Sequence, residues 1–375
     1  MDVGSRPLRR GYPRALIALV GVLIAVVSVL VIVAPPGQAD TPEILLGRNR
    51  MGEFQGVRGD NFLAWQQNTT AHPRHFDVYA RPIDGGTAFK VNAGGTNAAI
   101  GGIDGDLLVY QEFQGNDSDL RFYDLSTRTR SNPPPGVNTS QWEYWPSISG
   151  DRLLFGRLAG NGTRRVILYD LGSETAQVLD KIRGSRTFIQ PGQVNGDWAT
   201  WSKCRVREPC DVFRLNISNG NEQRIPNPGS DQYAPSVARN GTVYFARARN
   251  GCGNGVRLFS VASGGATQVW RLPNGDDVGT TRVYVNDQDR VTLLFDQFDC
   301  DRAAGSDVWR IVNPDEPPPP TTPPPTTTPP PTTTPPPTTP PPTTPPPTTD
   351  PPTTPPPTTE PPTTDPPTTE PPTTP

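Results

Sequence analysis

The sequence is poor in the groups that most enzymes recruit for chemistry. Its 375 residues include two histidines, four cysteines and three lysines. With only His72 and His75, both in the segment NTTAHPRHF, a three-histidine zinc site is excluded, and the pair reads as exposed loop residues. No GxSxG segment occurs, so the nucleophile elbow of an α/β-hydrolase is missing. An excess of charge is missing as well. Residues 40–313 hold 30 basic and 30 acidic side chains. A neutral domain offers no footprint for a phosphate backbone, which sets nucleic-acid binding aside. No convincing 3.6-residue apolar period runs between the two ends, which argues against a helical fold.

The two ends differ from the middle. Of 49 prolines, 32 lie between Pro314 and Pro375, in a PPPTT repeat that drifts into PPTTD and PPTTE. Proline and threonine bury little apolar area, so residues 314–375 are expected to be a disordered tail of polyproline II character. Such a tail suits a spacer, a glycosylated stalk or a segment threaded through cell-wall polymer. At the other end, Arg6, Arg9, Arg10 and Arg14 precede an uncharged run of 20 residues, Ala15 to Ala34, followed by Gly37-Gln38-Ala39. Residues 1–39 therefore read as a cleaved signal peptide or as an uncleaved, hydrophobic transmembrane helix. Both readings place residues 40–375 outside the cytoplasmic membrane, secreted, wall-associated or anchored by residues 15–34. Arginine-heavy usage together with the tail suggests an actinobacterial source.

What fills residues 40–313 is a repeat. Gly59-Asp60, Gly105-Asp106, Gly150-Asp151 and Gly196-Asp197 each precede an apolar run, with Asn240-Gly241 and Asp289-Arg290 in the same place later. The spacing is 44 to 49 residues. Each turn leads to an aromatic, namely Trp65, Tyr110, Phe155, Trp201, Phe245 or Phe295, then to a second apolar run and mostly to a short third one. Adding the run before each turn gives four short strands, six times. This predicts an all-β, six-bladed β-propeller of four-stranded blades. Blade six lacks a slot for its fourth strand, because the chain there has become Pro317–Pro320. The unassigned run Glu43–Arg48 is expected to supply it by pairing with 307–312, joining the domain's start to its end.

Residues 144–179, YWPSISGDRLLFGRLAGNGTRRVILYDLGSETAQVL, resemble the repeat of TolB-like propellers, as do residues 233–269. The shared pattern is Pro-Ser, a Gly-containing turn, an apolar strand ending in an aromatic, a second strand and a Gly-rich turn. It departs at Asn240-Gly241 and Asp289-Arg290, where the usual Asp-Gly or Gly-Asp is altered. The resemblance covers about residues 43–313 and implies an exported binding platform without naming a ligand.

Four cysteines in an exported chain imply two disulfides. Of three possible pairings, the loop positions favour Cys204 with Cys210 and Cys252 with Cys300. No metal or other cofactor is expected. Acidic stretches such as Asn116–Asp119, Asp287–Asp289 and Asp296 with Asp299 and Asp301 lack EF-hand spacing, so calcium is a minor alternative. The candidate binding rim is Trp142, Glu143, Tyr144 and Trp145 at the start of blade three, with Arg186, Phe188, Asp231 and Tyr233 before blades four and five. Rings beside charged groups suit stacking on sugars or gripping a partner's side chains, and the bland alternative is packing between blades. The expected function is non-enzymatic binding or scaffolding by a monomer, with an envelope protein or cell-wall glycan as partner. The alternatives are a carbohydrate-active or lactone-cleaving propeller enzyme, and a structural wall protein acting through its tail.

Overall fold

The computed structural model describes residues 42–46, 52–68, 75–115, 117–184, 186–248, 255–262, 265–273, 275–300 and 306–314. The chain divides into two units, Met1–Thr321 and Thr322–Pro375, and the second lies wholly outside the described residues. The first unit contains six four-stranded antiparallel sheets, each a blade of a six-bladed β-propeller. The innermost strands are Glu53–Arg58, Asn97–Asp104, Trp142–Ser149, Phe188–Asn195, Asp231–Val237 and Asp276–Val285.

The aromatic that follows each turn sits on the second strand and is buried in all six blades. In four blades it stacks on an aromatic directly opposite on the third strand: Trp65 on Tyr79, Trp201 on Phe213, Phe245 on Phe259 and Phe295 on Trp309. Cross-strand aromatic pairs of this kind stabilise a sheet by about 0.5–1 kcal/mol beyond their area. Core residues fall into one cluster per blade interface. Val109, Ile148 and Phe155 join blades two and three, for example, and Leu154, Ile189 and Trp201 join blades three and four.

Blade six takes its outer strand from the start of the domain. Glu43 pairs with Arg310 and Ile44 with Trp309, and the Leu45 N–H donates to the Val308 carbonyl at 2.8 Å. Leu46, 7% exposed, then enters the cluster of Leu63, Trp65, Leu294 and Val308 between blades six and one. In blade two the outer strand is Thr129–Ser131, ending just short of the Asn132–Pro134 slot. Prolines cannot donate to the ladder, so the strand stops before them.

The expectation of a transmembrane segment is corrected. Among the described residues every regular element is a strand, and no helix is long and apolar enough to cross a membrane. Apolar residues here alternate along strands and are buried between blades. Residues 15–34, on which that expectation rested, lie outside the described residues, as does the tail from residue 315.

Candidate functional site

Every innermost strand breaks register once, at the same place. In blades one, three and five the bulge holds a non-glycine residue in the left-handed region: Gln55 (φ 52°), Trp145 (φ 47°) and Ala234 (φ 51°). In blades two, four and six the bulge contains Gly101, Gly192 and Gly279. A β-carbon on Gly101 would stand 2.6 Å from Pro146 Cγ, and one on Gly192 would meet the carbonyl of Pro235. The Pro-Ser of the repeat is thus the bulge of blades three and five, against which the glycines of blades two and four pack. Bulges of this kind re-aim side chains next to functional sites.

Polar hooks tie the blades together where the inner strands end. The Gly150 N–H donates to Asp104 (2.8 Å) and the Gly196 N–H to Ser149 (3.0 Å). Asn195 donates to the Val237 carbonyl (3.1 Å), and the Tyr284 hydroxyl closes the ring onto Asp60 (2.7 Å). The Gly of the sequence repeat is therefore a donor to the preceding blade as well as a turn former. Deeper in, Gln193 spans from blade four to blade six, donating to the Val283 carbonyl and accepting the Val283 N–H. Arg282 Nε reaches the carbonyl of Gly101, 3.4 Å away in blade two. These bridges narrow the channel between the inner strands.

The eight rim residues sit where the inner strands of blades three, four and five begin. Tyr144, Trp145 and Phe188 form an edge-to-face cluster with ring centroids 5.4–5.5 Å apart. Tyr144 is buried and donates to the Ile189 carbonyl at 3.2 Å. Glu143 is fully buried, accepting from Arg157 Nε (2.7 Å) and the Thr139 hydroxyl (2.8 Å). Burial raises its carboxyl above the usual range despite those bonds. Tyr233 donates to Asp277 in blade six (2.5 Å), and Asp231 accepts the Cys210 N–H (2.9 Å). Arg186 is exposed, and Trp142 is half-buried against Phe113, centroids 5.9 Å apart. Cys204 and Cys210 form a disulfide on the same face, with Cα atoms 4.1 Å apart. Cys300 is also disulfide-bonded, and Cys252 lies outside the described residues.

Trp142 opens onto a cleft of about 800 Å3 between blades two and three. Its walls carry Gln114, Asp117, Gln141, Asn161, Arg164 and Arg183. Apart from Trp142, and Asp117 as part of the acidic stretch weighed for calcium, the sequence reading missed these residues. Their only sequence signal was polar side chains on loops adjoining a tryptophan, which is common. Among the described residues no group of three or more His, Cys, Asp or Glu is placed to hold a metal ion. His75 lies 3.6 Å from Asp77, whose carboxylate takes the Lys90 ammonium at 2.7 Å. His72 is outside the described residues.

No family model matches the sequence, and no curated protein matches it. Solved structures resemble the chain at low identity. TolB from Acinetobacter baumannii is 15% identical, with a TM-score of 0.44, over 67% of this chain and 63% of that one. A putative TolB from Agrobacterium tumefaciens is 12% identical, with a TM-score of 0.48, over 71% and 92%. The acylaminoacyl peptidase of Pyrococcus horikoshii is 12% identical, with a TM-score of 0.44, over 66% and 43%. The match thus spans less than two thirds of the length of the first and third of these proteins. A propeller fold is compatible with a scaffold and with an enzyme, so function rests on the site.

Proposed function

We propose that this chain is an exported, monomeric binding protein of the cell envelope that grips a wall glycan in the cleft between blades two and three. The observation that carries this is the cleft lining: the Trp142 indole, the amides of Gln114, Gln141 and Asn161, and the guanidinium groups of Arg164 and Arg183. An indole face suits the apolar face of a pyranose, and planar amides and guanidiniums suit its hydroxyls and ring substituents. The repeated Pro-Ser bulge supports the TolB-like reading of the domain. The arginines before Ala15 support export, and the Pro/Thr tail supports a place in the wall.

Co-sedimentation with insoluble wall polymer tests it. Trp142→Ala should weaken retention at least ~tenfold, about 1.4 kcal/mol, with unchanged thermal unfolding. Retention that ignores the substitution would refute the cleft.

A second reading is a carbohydrate-active enzyme, which one observation favours. The fully buried Asp296 carboxyl is pushed up to about 6 by burial, and the Arg282 guanidinium is pulled down to about 10 by burial. Perturbed groups of this kind gather at functional sites. Under this reading, wall fragments incubated with the protein release new sugar ends, and no release would refute it.

A further inference from the structure

Where the inner strands end lies a recess of about 50 Å3 whose lining includes three arginines, Arg58, Arg239 and Arg282. None of the three takes part in an ion pair among the described residues, whereas Arg121, Arg157 and Arg224 each hold a carboxylate within 3.2 Å. Arg282 is 7% exposed and, among the described residues, donates to the backbone carbonyls of Thr281 (2.9 Å) and Gly101 (3.4 Å). Arg58 lies over the Tyr284 ring at 4.8 Å, and its buried Nε–H has no hydrogen-bond partner. Arg239 is exposed at the rim of the recess.

The acids that face this group are accounted for. Asp60 accepts the Tyr284 hydroxyl and Asp104 accepts the Gly150 N–H. Asp296 accepts the N–H and hydroxyl of Thr280 through one oxygen, and its carboxyl, raised by burial, also acts electrostatically on Arg282. The recess itself is lined by three guanidiniums and two carboxylates. An Nε–H buried without an acceptor, as on Arg58, is costly, and a planar carboxylate is the ligand whose two oxygens match a guanidinium fork. The recess is far above the space one water needs, and it suits one small head group.

We infer that this recess is a carboxylate-binding site, formed by Arg58, Arg239 and Arg282 on the face opposite the proposed glycan cleft. It takes a carboxylate from a small organic acid or from the free C-terminus of a peptide. The site is independent of the cleft, since none of the cleft's residues lines it.

The test is titration calorimetry of the intact chain at constant ionic strength. The probes are succinate, a short neutral peptide with a free C-terminus and the same peptide amidated, with chloride as control. The site predicts saturable binding of succinate or the free-acid peptide and none of the amidated one. Which acid binds identifies the source. Arg239→Gln, at an exposed position, should weaken binding about tenfold with unchanged unfolding, and Arg58→Met by a similar factor. Arg282→Met risks the fold and is a secondary variant. No carboxylate binding above the chloride control would overturn the inference, and so would binding that both Arg239→Gln and Arg58→Met leave intact.

Discussion

Gly192 has no room for a methyl group. A β-carbon there would lie 2.6 Å from the Thr200 hydroxyl oxygen and 2.8 Å from Pro235 Cγ, besides meeting the Pro235 carbonyl. Gly192→Ala should therefore lose about 2 kcal/mol or more in denaturant unfolding, as overpacked cores do. A loss below 0.5 kcal/mol would show that the bulges of blades four and five do not interlock. Glu53 gives a pH signature. It is 5% exposed, and burial first, then repulsion from Asp307, pushes its carboxyl up to about 7. Its folded-state value lies above the unfolded one, so the native state binds more protons between about pH 4.5 and 7. The stability this group contributes is fully present below that window and falls as pH rises through it. Glu53→Gln should gain on the native chain by on the order of 2 kcal/mol between pH 4 and 8. A difference that stays flat across that range would remove the burial argument. The composition already set aside a three-histidine zinc site, and the sequence a GxSxG elbow. It did not reveal that Tyr144 and Glu143 are buried, because burial depends on partners such as Ile189 and Arg157 far along the chain.

Most strands were legible, because a turn, an aromatic and a second apolar run recur every 44 to 49 residues. The bulges were not. A Pro-Ser pair marks those of blades three and five, but Gln55 and the even-blade glycines leave no common residue pattern. The bridges of the channel were also hidden, since Arg282 and Gly101 are 181 residues apart. The hairpin between Trp198–Cys204 and Asp211–Asn216 is pinned by the Cys204–Cys210 disulfide. Loop-entropy estimates give so short a loop about 2 kcal/mol. Replacing both cysteines by serine should cost no more than that and should open residues 205–209 to protease. Global unfolding at room temperature would contradict such a local role.

The ring is closed by its first strand, and this was foreseeable because the proline tail leaves blade six without a fourth strand of its own. Leu46 wedges into the blade six and blade one cluster, so Leu46→Ala should lose about 2 kcal/mol or more. A chain beginning at residue 50 should unfold at markedly lower temperature in a single transition, because an open ring exposes a sheet edge and two blade faces. Unchanged melting would show that closure contributes nothing. The closed ring presents chemically different faces, an aromatic and amide-lined cleft where inner strands begin and an arginine recess where they end. The function proposed for the molecule rests on the first. It is tested most directly by hydrogen exchange of the intact chain with and without soluble wall-glycan fragments. The prediction is slowed exchange at residues 140–142, 158–164 and 183–184, lost in Trp142→Ala. No protection, or protection confined to blades four to six with this cleft unchanged, would contradict it.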